Sequence, residues 1–169
     1  TKIYGGGPRA VADALDCTQS EALDFTKDIE QAYPGIPRAL RQGTREGWEQ
    51  GRVVNLYGRA VAVKRDLAYR SVNYKVQSSA ADAFKRALIR LYHGPLEYGR
   101  VGSLLLPLHD EVIIEVPDRR HSRALMREVL RTMADDSVIR ALVGTDLPVA
   151  MKVVEPGGSW EDVEEVDLD

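Results

Sequence analysis

Hydrophobic positions along the 169-residue chain change their period several times, and each change marks an element. Gly5-Gly6-Gly7 precede Pro8, which suits the first position of a short helix running to about Leu15. A glycine-rich helix start can cradle phosphate, but no strand precedes it and no Gly-Lys-Ser/Thr ending follows, so a P-loop is not expected. Thr18-Gln19-Ser20-Glu21 is a capping box, and Phe25, Ile29, Ala32 and Tyr33 follow at helical spacing on one apolar face. Pro34-Gly35 ends that helix. A polar helix is predicted from about Pro37 to Gln50, capped by Gly51. Arg38, Arg41 and Arg45 share one side of it, either to meet phosphates or as a plain solvated face. Residues 52–63 then read as two short strands joined near Tyr57-Gly58.

The second half begins with a helix over Asn73–Leu91. Ser79 can cap it, with Asp82 three residues on, and Ala80, Ala81, Phe84, Leu88 and Leu91 form its apolar stripe. His93-Gly94-Pro95 ends it. Leu104–Val116 reads as a β-hairpin, two apolar runs of strand length with His109-Asp110-Glu111 at the bend between them. Val112, Ile114 and Val116 share one face, with Ile113 and Glu115 on the other. Arg119 to about Ala134 is an amphipathic helix through Leu125, Met126, Val129, Leu130 and Met133. Leu147–Val154 reads as a short strand with Pro148 favouring an edge. Gly157-Gly158-Ser159-Trp160 is a turn with an anchoring aromatic, and the acidic tail from Glu161 is expected to be loosely ordered. This order predicts an α+β fold, with a small antiparallel sheet covered by helices.

Composition excludes little. Length suits about one domain with a real core. No apolar run approaches a transmembrane span and no signal peptide is visible. The single Cys17 forms no intramolecular disulfide and fits a reducing cytosol, so a cytoplasmic location and no membrane partner are expected. The net charge of −3 argues against a generic nucleic-acid binder. Yet residues 37–90 carry twelve Lys/Arg against four Asp/Glu, while residues 155–169 carry seven acids and no base. The basic middle is compatible with a polyanion.

The bend at residues 109–111 is the strongest chemical signal. Neighbouring carboxylates at a buried bend repel one another and lose hydration, so they call for a cation or strong donor. Magnesium held by one or two carboxylates plus substrate phosphates is one answer. A solvated Asp-Glu turn without chemistry is the other, and residue types alone leave both open.

The ordered motifs resemble the C-terminal part of family A DNA polymerases, the DNA polymerase I type. Tyr4-Gly5 resembles the end of the fingers-helix motif, Tyr33-Pro34-Gly35 the family's Tyr-Pro-Gly, and Gly58-Arg59 its Gly-Arg hairpin. Asn73-x-x-x-Gln77-x-x-Ala80-Ala81-Asp82 is similar to the family's Asn-x-x-x-Gln-Gly-Thr-Ala-Ala-Asp. His109-Asp110-Glu111 resembles palm motif C, and Gly158-Ser159-Trp160 the closing Gly-x-x-Trp.

The resemblance implies nucleotidyl transfer from a dNTP to a primer 3′ end by two magnesium ions. Under it, Asp110 is a metal-ligand aspartate and Glu111 its supporting acid. His109 lies at the primer end, Asn73 and Gln77 at the minor groove near the nascent pair, and Tyr4 beside the templating base. It implies fingers-like helices and a hairpin over 1–60, a palm-like region over 61–160, and an acidic tail over 161–169. The partners implied are primer-template DNA, a dNTP and an N-terminal remainder, in cis or as a separate chain.

This chain departs from the family in three ways. Ser78-Ser79 replaces Gly-Thr. The family arginine four residues before Asn73 falls on Tyr69, and Arg70, one place on, is the nearest candidate for it. Motif A with its aspartate, the dNTP-binding residues of the fingers helix, and the thumb would all precede Thr1. The chain alone is therefore expected to be inactive, either as part of a longer polymerase or as one half of a split enzyme whose Thr1 follows a protein-splicing element. Two other functions compete: a non-catalytic DNA-binding module that retains the fold, and a metal-dependent phosphohydrolase using His109 and Asp110. The hydrolase is the poorer fit, since such sites need further ligands and His93 and His121 look unsuited.

Overall fold

The structure, a computed structural model, describes residues 6–97, 102–116 and 119–166, with only the backbone at 119–121. Its class is α+β, as the order of elements predicts. It divides into two compact units, residues 1–80 and 81–169, with the boundary inside one helix.

In the first unit, α1 (Pro8–Leu15) follows an extended Gly7 and carries proline in its first turn. Helix α2 (Gln19–Ala32) opens with the predicted capping box: Thr18 Oγ1 accepts from Glu21 N–H, and Glu21 Oε2 accepts from Thr18 N–H at 2.9 Å. The two helices bury Val11, Ala12 and Ala22, with Cys17 packed alongside. The apolar face expected along α2 is not buried. Phe25 is 47% exposed and Tyr33 is 63% exposed, because no described element of this unit covers that side.

Helix α3 runs over Gly35–Gln50, two residues earlier at its start than expected, and ends at Gly51 with φ 63°. Strands β1 (Arg52–Val54) and β2 (Ala60–Ala62) pair antiparallel. A 3₁₀ turn over Arg65–Arg70 leads into α4 (Ser71–Tyr92). Glycines let α3 approach this turn. A Cβ on Gly47 would collide with Ser71 Oγ, and one on Gly43 would lie 2.6 Å from Val72 Cγ2. Ser71 is fully buried at this crossing.

Helix α4 corrects the sequence reading. Ser79 is not a cap but an interior residue eight positions into the helix, because its hydroxyl donates to the carbonyl of Lys75 at 2.6 Å. The buried line is Ser79, Ala83, Ala87 and Leu91, while Ala80 and Ala81 are exposed.

In the second unit, β3 (Ser103–Leu108) and β4 (Glu111–Glu115) form an antiparallel hairpin with a bulge at Leu105. Helix α5 (Arg119–Ala134) packs on it. Leu91, Leu96, Leu125 and Val129 form the core, with Leu104, Val112, Ile114, Val116, Met133 and Met151 around it. The inward face of β4 is the one the alternation predicts.

Helix α6 (Ser137–Val143) was not expected. Asp136 caps it, accepting from the N–H groups of Val138 and Ile139, and is buried with Arg86 and Arg90 near its other oxygen. The strand predicted over 147–154 shrinks to β5 (Lys152–Val153), which pairs with β6 (Glu164–Glu165) inside the supposedly loose tail. Trp160 does not anchor the turn; it is 70% exposed. The strands make three separate two-stranded ladders among the described residues. No helix among these residues is long and apolar enough to cross a membrane.

Candidate functional site

The hairpin β3–β4 places the acidic bend. Leu108 pairs with Glu111, so the loop is two residues, His109-Asp110, and Glu111 is the first residue of β4. Both favoured two-residue turns need a positive φ at the first loop position, usually met by glycine or asparagine. Here His109 takes it, at φ 55°. On the core face, Val112, Ile114 and Leu104 hold the hairpin to α5. On the other face, Leu106, Ile113 and Glu111 follow one another, and Leu106 and Leu108 are about half exposed.

The bend itself is exposed at His109, Asp110 and Glu111, which corrects the expectation of a buried one. The cause is geometric: the strands reach beyond the core, and no described element of the unit closes over the loop. No described residue donates to either carboxylate or pairs with it. Among the described residues, then, no protein cation neutralises the two acids. No group of three or more His, Cys, Asp or Glu side chains gathers into a metal-holding cluster among the described residues. The pair still fits magnesium, which takes one or two protein carboxylates and fills its other positions with water and phosphate oxygens.

The second group of candidates lies in the first unit. Asn73 and Gln77 stand four apart on α4 and so share a face. Gln77 is exposed, and so are Ala80 and Ala81 beyond it. Asn73 is half-buried, its Oδ1 enclosed and accepting no hydrogen bond among the described residues. Arg70 ends the 3₁₀ turn just before α4. Its Nε donates to Tyr69 Oη at 3.0 Å, with the guanidinium 5.3 Å from the Tyr69 ring centre. It is exposed and basic, but folded back on the residue that occupies the family arginine's own place. Tyr4 lies outside the described residues. Arg38, Arg41 and Arg45 are exposed on α3, and Arg45 is engaged with Glu49 at 2.8 Å.

Sequence reasoning passed over Asn55. It is buried, and its Oδ1 accepts from the N–H groups of Tyr57 and Arg59, shaping the β1–β2 tip. An Asn two residues before the turn was the available signal. Glu46 was also missed: it pairs with Lys75 across α3 and α4. Hydrogen bonding from Lys75 holds the Glu46 carboxyl below its ordinary value.

Residues 1–162 match the sequence profile of DNA polymerase family A. The chain belongs to that family. It is similar to the DNA polymerase of Mycobacterium phage D29, at 33% identity over 151 residues covering 89% of this chain and 24% of that protein. It is similar also to the thermostable DNA polymerase I of Thermus thermophilus, at 35% identity over 141 residues covering 76% and 17%. Among solved structures, the POL domain of Pol1 from M. smegmatis, in complex with DNA primer-template and dNTP, superposes with a TM-score of 0.70. It covers 79% of this chain and 25% of that one at 24% identity, so the likeness there is one of fold. The chain spans about a quarter or less of the length of these family A relatives.

Proposed function

We propose that this chain supplies the motif C side of a DNA-directed DNA polymerase site, joining a dNTP to a primer 3′ end. The observation that carries the reading is the bend: adjacent exposed carboxylates at a two-residue loop and the first residue after it, with no cation among the described residues paired with them, in a chain whose family is known. Asp110 would hold magnesium and Glu111 would support it, each offering oxygens at the end of a hairpin fixed by the core. Bound magnesium would supply charge for the transferring phosphoryl group and activate the primer hydroxyl. His109 lies beside Asp110 and is offered to the primer end. Asn73 and Gln77 carry amide N–H donors, which match the N3 and O2 acceptors common to base pairs in the minor groove. Arg70 would join that surface if its bond to Tyr69 opened.

The second metal carboxylate and the dNTP-binding residues are assigned to the N-terminal remainder of the polymerase, in cis or as a separate chain. This chain alone is then expected to be inactive. The division into fingers-like residues 1–60, palm-like residues 61–160 and tail 161–169 belongs to the same reading.

The test is primer extension with Mg²⁺ and dNTPs, using the chain alone and together with the N-terminal remainder. Activity is expected in the mixture only. Asp110→Ala is expected to lower it by about a hundredfold or more, since a lost metal ligand removes several kcal/mol of transition-state stabilisation. Full activity in Asp110→Ala would contradict the assignment. Duplex binding without restored activity would favour a DNA-binding module that keeps the fold.

A further inference from the structure

The tip of the β1–β2 hairpin is tied to α4 immediately after Gln77. The tip has a set shape. Asn55 Oδ1 accepts from Tyr57 N–H at 3.0 Å and from Arg59 N–H at 2.9 Å. Asn55 N–H donates to the Arg59 carbonyl, and Gly58 N–H to the Asn55 carbonyl. Two links then reach α4. Ser79 Oγ accepts from Leu56 N–H at 3.1 Å while donating to the Lys75 carbonyl at 2.6 Å. Arg59 Nη2 donates to the Ser78 carbonyl at 3.4 Å.

A hydroxyl can donate and accept at once, and alanine can do neither. Alanine is nevertheless the better residue for a helix interior, and Ser79 is only 4% exposed, so helix formation alone does not explain it. Its tertiary partner, Leu56 N–H, does. Further back, α4 is fixed to α3 by Ser71 against Gly47 and by Lys75 with Glu46. The Ser79 link, with the Arg59 bond to the Ser78 carbonyl beside it, thus ties α4 to the hairpin tip on the C-terminal side of the exposed Gln77.

We propose that Ser79 is a positioning residue, its hydroxyl locking the hairpin tip onto α4 and so setting the reach of the Gln77 amide toward the minor-groove edge of a base pair. This rests on the reading of Gln77 given above. Threonine keeps the hydroxyl, so Ser79→Thr should serve as well.

The experiment measures fluorescence anisotropy of this chain, assembled with the N-terminal remainder, with two primer-template duplexes. One is natural, and one carries a 3-deazapurine at the primer terminus, which lacks the N3 acceptor. Amide hydrogen exchange at Leu56 is followed in parallel. The natural chain is expected to bind the deaza duplex roughly fivefold more weakly, the scale of one lost hydrogen bond. Ser79→Ala should cut that difference to below about twofold, speed Leu56 exchange, and leave the salt dependence unchanged, because phosphate contacts are untouched. Ser79→Thr should restore both readouts. If Ser79→Ala keeps the full difference while Gln77→Ala loses it, the positioning role is overturned and the reading of Gln77 stands. An equal loss on both duplexes in Ser79→Ala also overturns it, as that is a structural defect alone. If Gln77→Ala keeps the difference, or the assembled natural polymerase binds neither duplex, the reading of Gln77 falls and the proposal with it.

Discussion

His109 carries the main local strain at the candidate site. Its φ of 55° lies where non-glycine residues are uncommon, although His, like Asn and Asp, is tolerated there better than most, at a cost of about 1 kcal/mol. A β-branched residue tolerates that backbone least. His109→Val is therefore expected to destabilise the hairpin by about 1–2 kcal/mol in denaturant unfolding. His109→Gly should be near neutral, since relief of strain is offset by the greater freedom of glycine in the unfolded chain. Equal stability of the two variants would show that the turn does not hold position 109 in this conformation. The position of the acidic pair at a hairpin bend was legible in the sequence; its exposure was not. Burial of a bend depends on what other elements reach over it, and alternation within a strand says only which face turns inward.

At the scale of elements, local signals were read well and non-local ones were not. The capping box of α2, the proline start of α1, the Gly51 stop of α3 and the β1–β2 turn all depend on residues within one turn of each other. Ser79 misled because its partner, Leu56, is distant in sequence. Helix α6 had a readable Asp136 cap and Gly144 stop, but its short length hid it. The pairing of β5 with β6 joins residues twelve or so apart through two-residue strands, too short to show a period.

Contact between α3 and α4 gives two tests. Alanine normally stabilises a helix by about 1 kcal/mol over glycine. At Gly47 its Cβ would meet Ser71 Oγ and lie 3.4 Å from Ala68 Cα, so Gly47→Ala should destabilise by roughly 1–3 kcal/mol. Gly35, with nothing within 4 Å, is the control, and Gly35→Ala should not destabilise. The Glu46–Lys75 pair sets a pH dependence. Lys75 lowers the folded value of Glu46 below the ordinary 4.5, so the pair stabilises above the unfolded value and is lost as pH falls through the folded one. Melting temperature between pH 7 and pH 3 should therefore fall less in Glu46→Gln than in the natural chain. Parallel curves would remove Glu46 from the account.

At the scale of the whole molecule, charge and family point the same way. The basic residues concentrate between 37 and 90, the span holding Arg70, Asn73 and Gln77, while the acidic bend lies in the other unit. The α+β class was readable from the order of elements, and the family from six short motifs taken together. The account's central claim is that Asp110 and Glu111 hold a divalent ion when primer-template and dNTP are bound. The most direct measurement replaces Mg²⁺ with paramagnetic Mn²⁺ in the assembled polymerase and follows the backbone amide resonances of His109, Asp110 and Glu111. The account predicts broadening strongest at the bend, falling off with distance along β3 and β4, and abolished at the bend by Asp110→Asn. Resonances at the bend that stay sharp at saturating Mn²⁺ would contradict it.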